Sequence, residues 1–152
     1  MTPVVKAPFG RFTTGRDEVI KSPSPFNMSE NKPKILIIED DRYLRELITK
    51  KLEKEKFEIL ETADGKEGLK KTKEEKPDLI LLDLVLPGID GYAVLSQIKA
   101  DPEMSSIPVI IISNLGQIQE IQRGLKLGAV DYLIKAHFTP ETIIEKVRRH
   151  LK

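Results

Sequence analysis

Three runs of four consecutive aliphatic residues divide the chain, and each run ends at a polar side chain. The runs occupy positions 35–38, 79–82 and 109–112. Runs without polar alternation are typical of parallel strands that are buried on both faces. A sheet of such strands needs helices on both sides, so the runs also constrain the segments between them.

The segments between the runs have the apolar spacing of amphipathic helices. Two weaker strand patterns complete the set, so that five strands alternate with five helices. The predicted strands are 35–38, 57–60, 79–82, 109–112 and 130–134, and the predicted helices contain 44–52, 65–75, 92–100, 118–125 and 140–151. This order predicts an α/β fold with a doubly wound parallel sheet. Among the doubly wound arrangements we choose the flavodoxin-like (βα)5 sheet with strand order 2-1-3-4-5.

Composition restricts the function classes. The 152 residues suit about one domain, and Lys plus Arg exceed Asp plus Glu by only 25 to 24. We therefore expect no direct contact with nucleic acid, which usually needs a basic surface. No apolar run approaches the roughly 20 residues that span a bilayer, so we expect no membrane insertion. Cysteine is absent, which excludes disulfides and fits a cytoplasmic protein.

The first residues differ from the rest. Residues 1–27 contain four of the ten prolines and three of the five phenylalanines, without a period of 2 or 3.6. We expect a flexible N-terminal tail at 1–33 and one folded domain at 34–152. Met28 is an alternative biological start, and the composition does not separate that possibility from a genuine tail.

The ends of the predicted strands carry most of the polar groups that could do chemistry. Strand 1 is followed by Glu39-Asp40-Asp41, strand 3 by Asp83, strand 4 by Ser113 and strand 5 by Lys135. The carboxyl ends of parallel strands meet at one edge of the sheet, where ligands bind in this architecture. The carboxylates would repel one another, and a hard divalent cation such as Mg²⁺ would compensate them.

These groups together predict a phosphoryl site. Mg²⁺, a hydroxyl and an ammonium group can hold a phosphoryl group, and an aspartate such as Asp83 can attack phosphorus. Asp41 has a simpler interpretation, because an acid that follows a strand often caps the next helix.

Four segments resemble the receiver domain of two-component response regulators. They are ILIIEDD at 35–41, LLDLVLPGIDG at 81–91, VIIIS at 109–113 and GAVDYLIK at 128–135. The resemblance extends over about 34–151 and implies that Asp83 accepts phosphate from a histidine kinase or a histidine phosphotransfer protein. It also implies that the chain is a phosphoacceptor and not an enzyme.

The same resemblance implies roles for the other site residues. Asp40 would bind Mg²⁺ directly, Glu39 would act mainly through water, and Asp83 and the Val85 carbonyl would complete the ligands. Ser113 and Lys135 would each bind a phosphoryl oxygen. Tyr132 matches the aromatic residue that turns inward on activation.

Some positions depart from the family pattern or tune it. Asn114 replaces a residue that is usually small. Ala136 replaces the usual cis-proline, and a cis bond before a residue other than proline costs about 2.5–4 kcal/mol. The loop after Lys135 is therefore expected to differ in shape. Val85 and Leu115 are apolar and cannot orient an attacking water, which predicts slow autophosphatase activity.

Three alternatives remain to be weighed. A nucleotide- or flavin-binding protein would have a Gly-rich or Ser/Thr-rich loop after strand 1, where this chain has acids. A haloacid-dehalogenase-type phosphatase would have a second aspartate at position 85. A pseudo-receiver, an interaction module that keeps the fold without being phosphorylated, is the main rival.

The output of the domain is expected to be a contact with another protein. We expect no attached effector domain, and signalling through a downstream protein effector that binds the face of helix 4, strand 5 and helix 5. Onward transfer of phosphate to a histidine phosphotransfer protein is the other possibility.

Overall fold

The structure is a computed structural model and describes residues 32–151. The predicted N-terminal tail falls almost wholly outside these residues. Strands and helices alternate strictly along the described chain. They are β1 (Lys34–Ile38), α1 (Arg42–Lys54), β2 (Glu58–Thr62), α2 (Gly65–Glu75), β3 (Leu79–Leu82), α3 (Gly91–Ala100), β4 (Val109–Ser113), α4 (Ile118–Lys126), β5 (Asp131–Ile134), a 3-10 turn (Lys135–His137) and α5 (Pro140–His150).

All the strands form one parallel sheet in the order β2-β1-β3-β4-β5. This confirms the predicted fold class and the predicted strand order. The register pairs Ile38 with Leu82, and Leu82 with Ile111. The carboxyl ends of β1, β3 and β4 therefore lie side by side, with the residues that follow them at one edge.

Side chains of the central strands alternate between two buried cores. One core contains Leu36, Ile80 and Ile111 and packs against α3. The other contains Ile37 and Leu81 and packs against α1 and α5. Burial on both faces explains why these strands are continuous apolar runs.

Helix starts are marked by side chains that accept hydrogen bonds from backbone N–H groups. Asp41 accepts from Leu44 N at 3.1 Å, which confirms its predicted capping of α1. Asp90 accepts from Ala93 N at 3.0 Å at the start of α3. Thr139 caps α5 and is followed by Pro140, as the sequence pattern indicated.

The predicted element bounds differ from the structure at a few places. Strand β2 begins at Glu58 and runs to Thr62, not from 57 to 60, and β5 begins at Asp131, one residue after the predicted start. Lys135 directly follows β5, as predicted, and begins the 3-10 turn. Two aliphatic residues that marked helix 4, Ile118 and Leu125, are 68% and 44% exposed.

Among residues 32–151, no helix combines the length and the apolar character that crossing a bilayer requires.

Candidate functional site

Two carboxylates are buried at the carboxyl edge of the sheet. Glu39 follows β1 and is 2% exposed, and Asp83 follows β3 and is 4% exposed. Their backbones continue the sheet pairing, because Glu39 N donates to Thr62 O at 3.0 Å and Asp83 N donates to Ile38 O at 2.9 Å. The strands therefore position both acids rigidly, and each carboxylate is largely removed from water.

The ammonium group of Lys135 joins the two acids. Its Nζ lies 2.9 Å from Oε1 of Glu39 and 3.2 Å from Oδ2 of Asp83. Burial by itself would lower the pKa of Lys135, but the bond to Glu39 and the charge of Asp83 raise it above its usual value. The ammonium group therefore stays cationic. It contacts Glu39, which lies 96 positions earlier in the chain, and Asp83, which lies 52 positions earlier.

The site has more negative than positive charge. Burial is the main cause that raises the pKa of Glu39 to about 7, and the charge of Asp83 raises it further. Hydrogen bonds from Asp41 N, at 2.8 Å, and from Lys135 oppose that rise. One ammonium cannot neutralise two buried carboxylates, so the pocket favours a further cation when both are ionised.

The other predicted metal ligands are in less enclosed positions. Asp40 is exposed, and Val85 is 64% exposed, with its N–H donating to Oδ1 of Asp83 at 3.3 Å. Within the described part of the chain, no three acidic or histidine side chains are close enough to hold a metal ion by themselves. Any metal here would need ligands beyond side chains, such as a backbone carbonyl and waters.

Ser113 and Tyr132 lie on β4 and β5, the two strands of the sheet beyond the strand that precedes Asp83. Ser113 ends β4, is fully buried, and its Oγ accepts a hydrogen bond from Leu115 N at 3.1 Å. The hydroxyl of Tyr132 donates to the Leu115 carbonyl oxygen. Both residues are thus tied to the loop between β4 and α4. Among the described residues of this edge, the ion pairs join Lys135 to Glu39 and to Asp83.

Two residues that support the site were not singled out from the sequence. Arg45 on α1 donates from Nη1 to the Glu39 carbonyl oxygen at 2.7 Å. Gly91 lies so close to the backbone after β3 that an added Cβ would be 2.4 Å from Asp83 O and from Leu84 Cα. Arg45 has no local signal among the other basic residues of α1, whereas the Asp90-Gly91 pair at a helix start was a usable hint.

A family model for the response regulator receiver domain matches residues 35–148. Among curated proteins, the chain is 38% identical over 120 residues to the DNA-binding dual master transcriptional regulator RpaA of Synechocystis, covering 79% of this chain and 49% of that protein. It is 34% identical over 125 residues to the DNA-binding response regulator MtrA of Mycobacterium tuberculosis, covering 82% of this chain and 53% of that protein.

The chain thus spans about half the length of these curated relatives. Among solved structures, the chemotaxis response regulator CheY4 of Vibrio cholerae superposes with a TM-score of 0.74 at 25% identity, covering 80% of this chain and 100% of that one. The sheet order, the strand-end acids and these similarities agree. The chain belongs to the response regulator receiver domain family of two-component systems.

Proposed function

We propose that Asp83 accepts a phosphoryl group from a histidine kinase or a histidine phosphotransfer protein, and that this changes which protein the domain binds. The observation that carries the proposal is the buried Asp83 carboxylate held 3.2 Å from the ammonium group of Lys135. A carboxylate removed from water and paired with an ammonium group is suited to nucleophilic attack on phosphorus.

Each residue of the edge would have a separate role in the transfer. Asp83 attacks, and the phosphoryl group leaves the nitrogen of phosphohistidine. Lys135 neutralises charge on the phosphoryl oxygens, for which its Nζ would leave Asp83 Oδ2. Ser113 would donate its hydroxyl hydrogen to another phosphoryl oxygen while its Oγ still accepts the hydrogen bond from Leu115 N. Such a site works mainly by positioning and charge neutralisation.

The donor set fits Mg²⁺, with Asp40, Asp83 and the Val85 carbonyl as ligands and Glu39 acting through water. All these ligands are oxygens, as Mg²⁺ prefers, and the excess negative charge of Glu39 and Asp83 favours a cation. When bound, the ion would offset the charge that develops on the phosphoryl oxygens.

Intact-protein mass spectrometry after incubation with acetyl phosphate and Mg²⁺ tests the proposal. We expect the mass to increase by one phosphoryl group, and Asp83→Asn to abolish the increase. Asp78→Asn is a matched control, because Asp78 is an exposed aspartate at the opposite end of β3. No phosphorylation of the unaltered chain, with acetyl phosphate or with a kinase, would instead favour an unphosphorylated pseudo-receiver.

The surroundings of Asp83 favour a long-lived phosphoryl group. Val85 and Leu115 are apolar, so neither can hold a water in position for attack on phosphorus. We expect the phosphorylated protein to hydrolyse slowly, and loss of the phosphoryl group within seconds at 25 °C would contradict this. Activity would thus be limited to phosphate acceptance and slow autohydrolysis.

The output of the domain is a protein effector, and the site of action is the cytoplasm. The curated relatives are DNA-binding regulators by name, and the match covers about half of each of them. We propose that residues 34–152 do not themselves contact nucleic acid, consistent with the near-neutral charge of the chain. A gel-shift experiment with random duplex DNA at low salt checks this, and retarded DNA would contradict it.

A further inference from the structure

A side chain of α1 holds the peptide unit that joins Glu39 to Asp40. Nη1 of Arg45 donates to the Glu39 carbonyl oxygen at 2.7 Å, and Nε lies 3.2 Å from Oε1 of Glu61 on β2. We propose that Arg45 is a positioning residue for the cation site, and that it sets where the Asp40 carboxylate can reach. The inference rests on the proposed function, because it concerns the same Mg²⁺ site.

Two other backbone groups of this loop are also held by hydrogen bonds. Glu39 N donates to Thr62 O at 3.0 Å, and Asp41 N donates to Oε2 of Glu39 at 2.8 Å. Because the peptide unit is planar, fixing the Glu39 carbonyl also fixes the N–H and Cα of Asp40. Arg45 thereby determines the starting direction of a side chain that is otherwise exposed.

The contact of Arg45 differs from an ordinary surface ion pair. Its side chain is 16% exposed, and its planar guanidinium donates in two directions at once, to Glu39 and to Glu61. Arg42 provides the contrast on the same helix. It pairs with Glu46 at 3.0 Å, but its side chain is 83% exposed, and such pairs usually contribute little.

The two arginines allow a test in which a charge effect and a positioning effect predict opposite changes in Mg²⁺ affinity. Removing a positive charge near an acidic site should strengthen Mg²⁺ binding, and this applies to Arg45→Ala and to Arg42→Ala. If Arg45 positions Asp40, Arg45→Ala should instead weaken binding by about tenfold, the loss typical of residues that orient metal ligands. Arg42→Ala should bind at least as tightly as the unaltered chain.

Isothermal titration of the metal-free full chain with MgCl2 measures these affinities without phosphorylation. Thermal unfolding of the metal-free variants shows whether each is folded. Arg45→Lys keeps the net charge but lacks the planar fork, so a smaller loss of affinity is expected, and this variant replaces Arg45→Ala if the latter does not fold. Glu61→Gln removes the ionic partner alone and should bind nearly as well as the unaltered chain.

Three results would overturn the inference. Arg45→Ala and Arg45→Lys could bind Mg²⁺ as tightly as the unaltered chain, which would leave Arg45 with no positioning role. Glu61→Gln could lose as much affinity as Arg45→Ala, which would assign the effect to the ion pair. Failure of the unaltered chain to bind Mg²⁺ would overturn the proposed metal site itself, and the inference with it.

Discussion

Helices α3 and α4 cover the same face of the sheet, but different kinds of contact hold them there. Helix α3 buries Tyr92, Val94, Leu95 and Ile98 in the core beneath it. In α4 the buried residue is Gly124, and Ile118 and Leu125 are exposed. Burial of large aliphatic groups is the main stabilising contribution in such domains, so α3 is anchored strongly and α4 is not.

Polar contacts partly replace the apolar burial that α4 lacks. The hydroxyl of Tyr92 donates to the Glu120 carbonyl oxygen at 3.1 Å, and the guanidinium of Arg123 lies 4.0 Å from the centre of the Tyr92 ring. Tyr132 donates to the Leu115 carbonyl, just before α4 begins. The part of the fold beside Ser113 is therefore held by fewer buried apolar groups than the central strands that carry the acids.

The largest predicted effect compares one aliphatic residue from each helix. Ile98→Ala on α3 should lower the free energy of unfolding by about 3–4 kcal/mol, because it leaves a cavity in a packed core. Leu125→Ala on α4 should cost about 0.5 kcal/mol or less, since its side chain is 44% exposed. Urea denaturation of both variants measures this, and similar losses would show that α4 is packed as firmly as α3.

Glycine substitutions provide a second comparison. Gly91→Ala should cost about 2–3 kcal/mol, because its Cβ would lie 2.4 Å from the Asp83 and Leu84 backbone, which cannot move aside. Gly124→Ala should change stability by less than about 1 kcal/mol. Its Cβ would meet Cδ1 of Ile111 at 2.5 Å, the end of a flexible side chain, and alanine favours the helix.

Thermal unfolding and amide exchange of the two glycine variants check this pair. A well-tolerated Gly91→Ala would show that the loop after Asp83 is not held rigidly. In that case the comparison between the two regions would be wrong.

Tyr92→Phe removes one of the polar contacts that hold α4 and should have a smaller effect. The ring remains beneath Arg123, but the bond to the Glu120 carbonyl is lost, and a cost of about 1 kcal/mol is expected. Hydrogen exchange should become faster in α4 and stay nearly unchanged in α3. Equal acceleration in both helices would mean that Tyr92 stabilises the whole domain and not the attachment of α4.

The smallest predicted effect is a pH dependence at the other end of β5. Burial would raise the pKa of Asp131, but hydrogen bonds from Lys146 at 3.0 Å, from His150 at 3.1 Å and from Tyr132 N lower it below its usual value. The stability from these contacts should be present above about pH 4, the ordinary pKa of aspartate, and be lost as the pH falls through the folded value.

Urea denaturation of the unaltered chain and of Asp131→Asn from pH 7 to pH 3 measures this contribution. The difference between the two should shrink towards low pH, from a starting value below about 1 kcal/mol. A difference that is constant with pH would contradict the role of the Asp131 charge.

The fold could be predicted from the sequence because the patterns that indicate strands and helix starts are local. Continuous apolar runs such as 79–82 indicated strands buried on both faces, and Asp41 and Thr139 indicated helix starts. The errors were local too. Strand β2 extends two residues further than predicted, to Thr62, because pairing with β1 decides where a strand ends.

The candidate site could be predicted from the sequence only in part. The order of polar residues at the strand ends indicated that Glu39, Asp83 and Lys135 would converge, and the Lys135 ammonium group contacts both carboxylates. Arg45 gave no such signal. Its role depends on the angle at which α1 crosses β1 and β2, and no pattern within the helix reports that angle.

Residue type and order alone determined the parallel sheet and the acidic edge, and they restricted the strand order to a few arrangements, because side-chain burial and chain connectivity permit few folds for such a pattern. Only the tertiary structure decided the electrostatics of that edge and the weak attachment of α4. Both depend on distances between residues far apart in the chain. Burial of Glu39 raises its pKa to about 7, and burial is a property of the assembled fold.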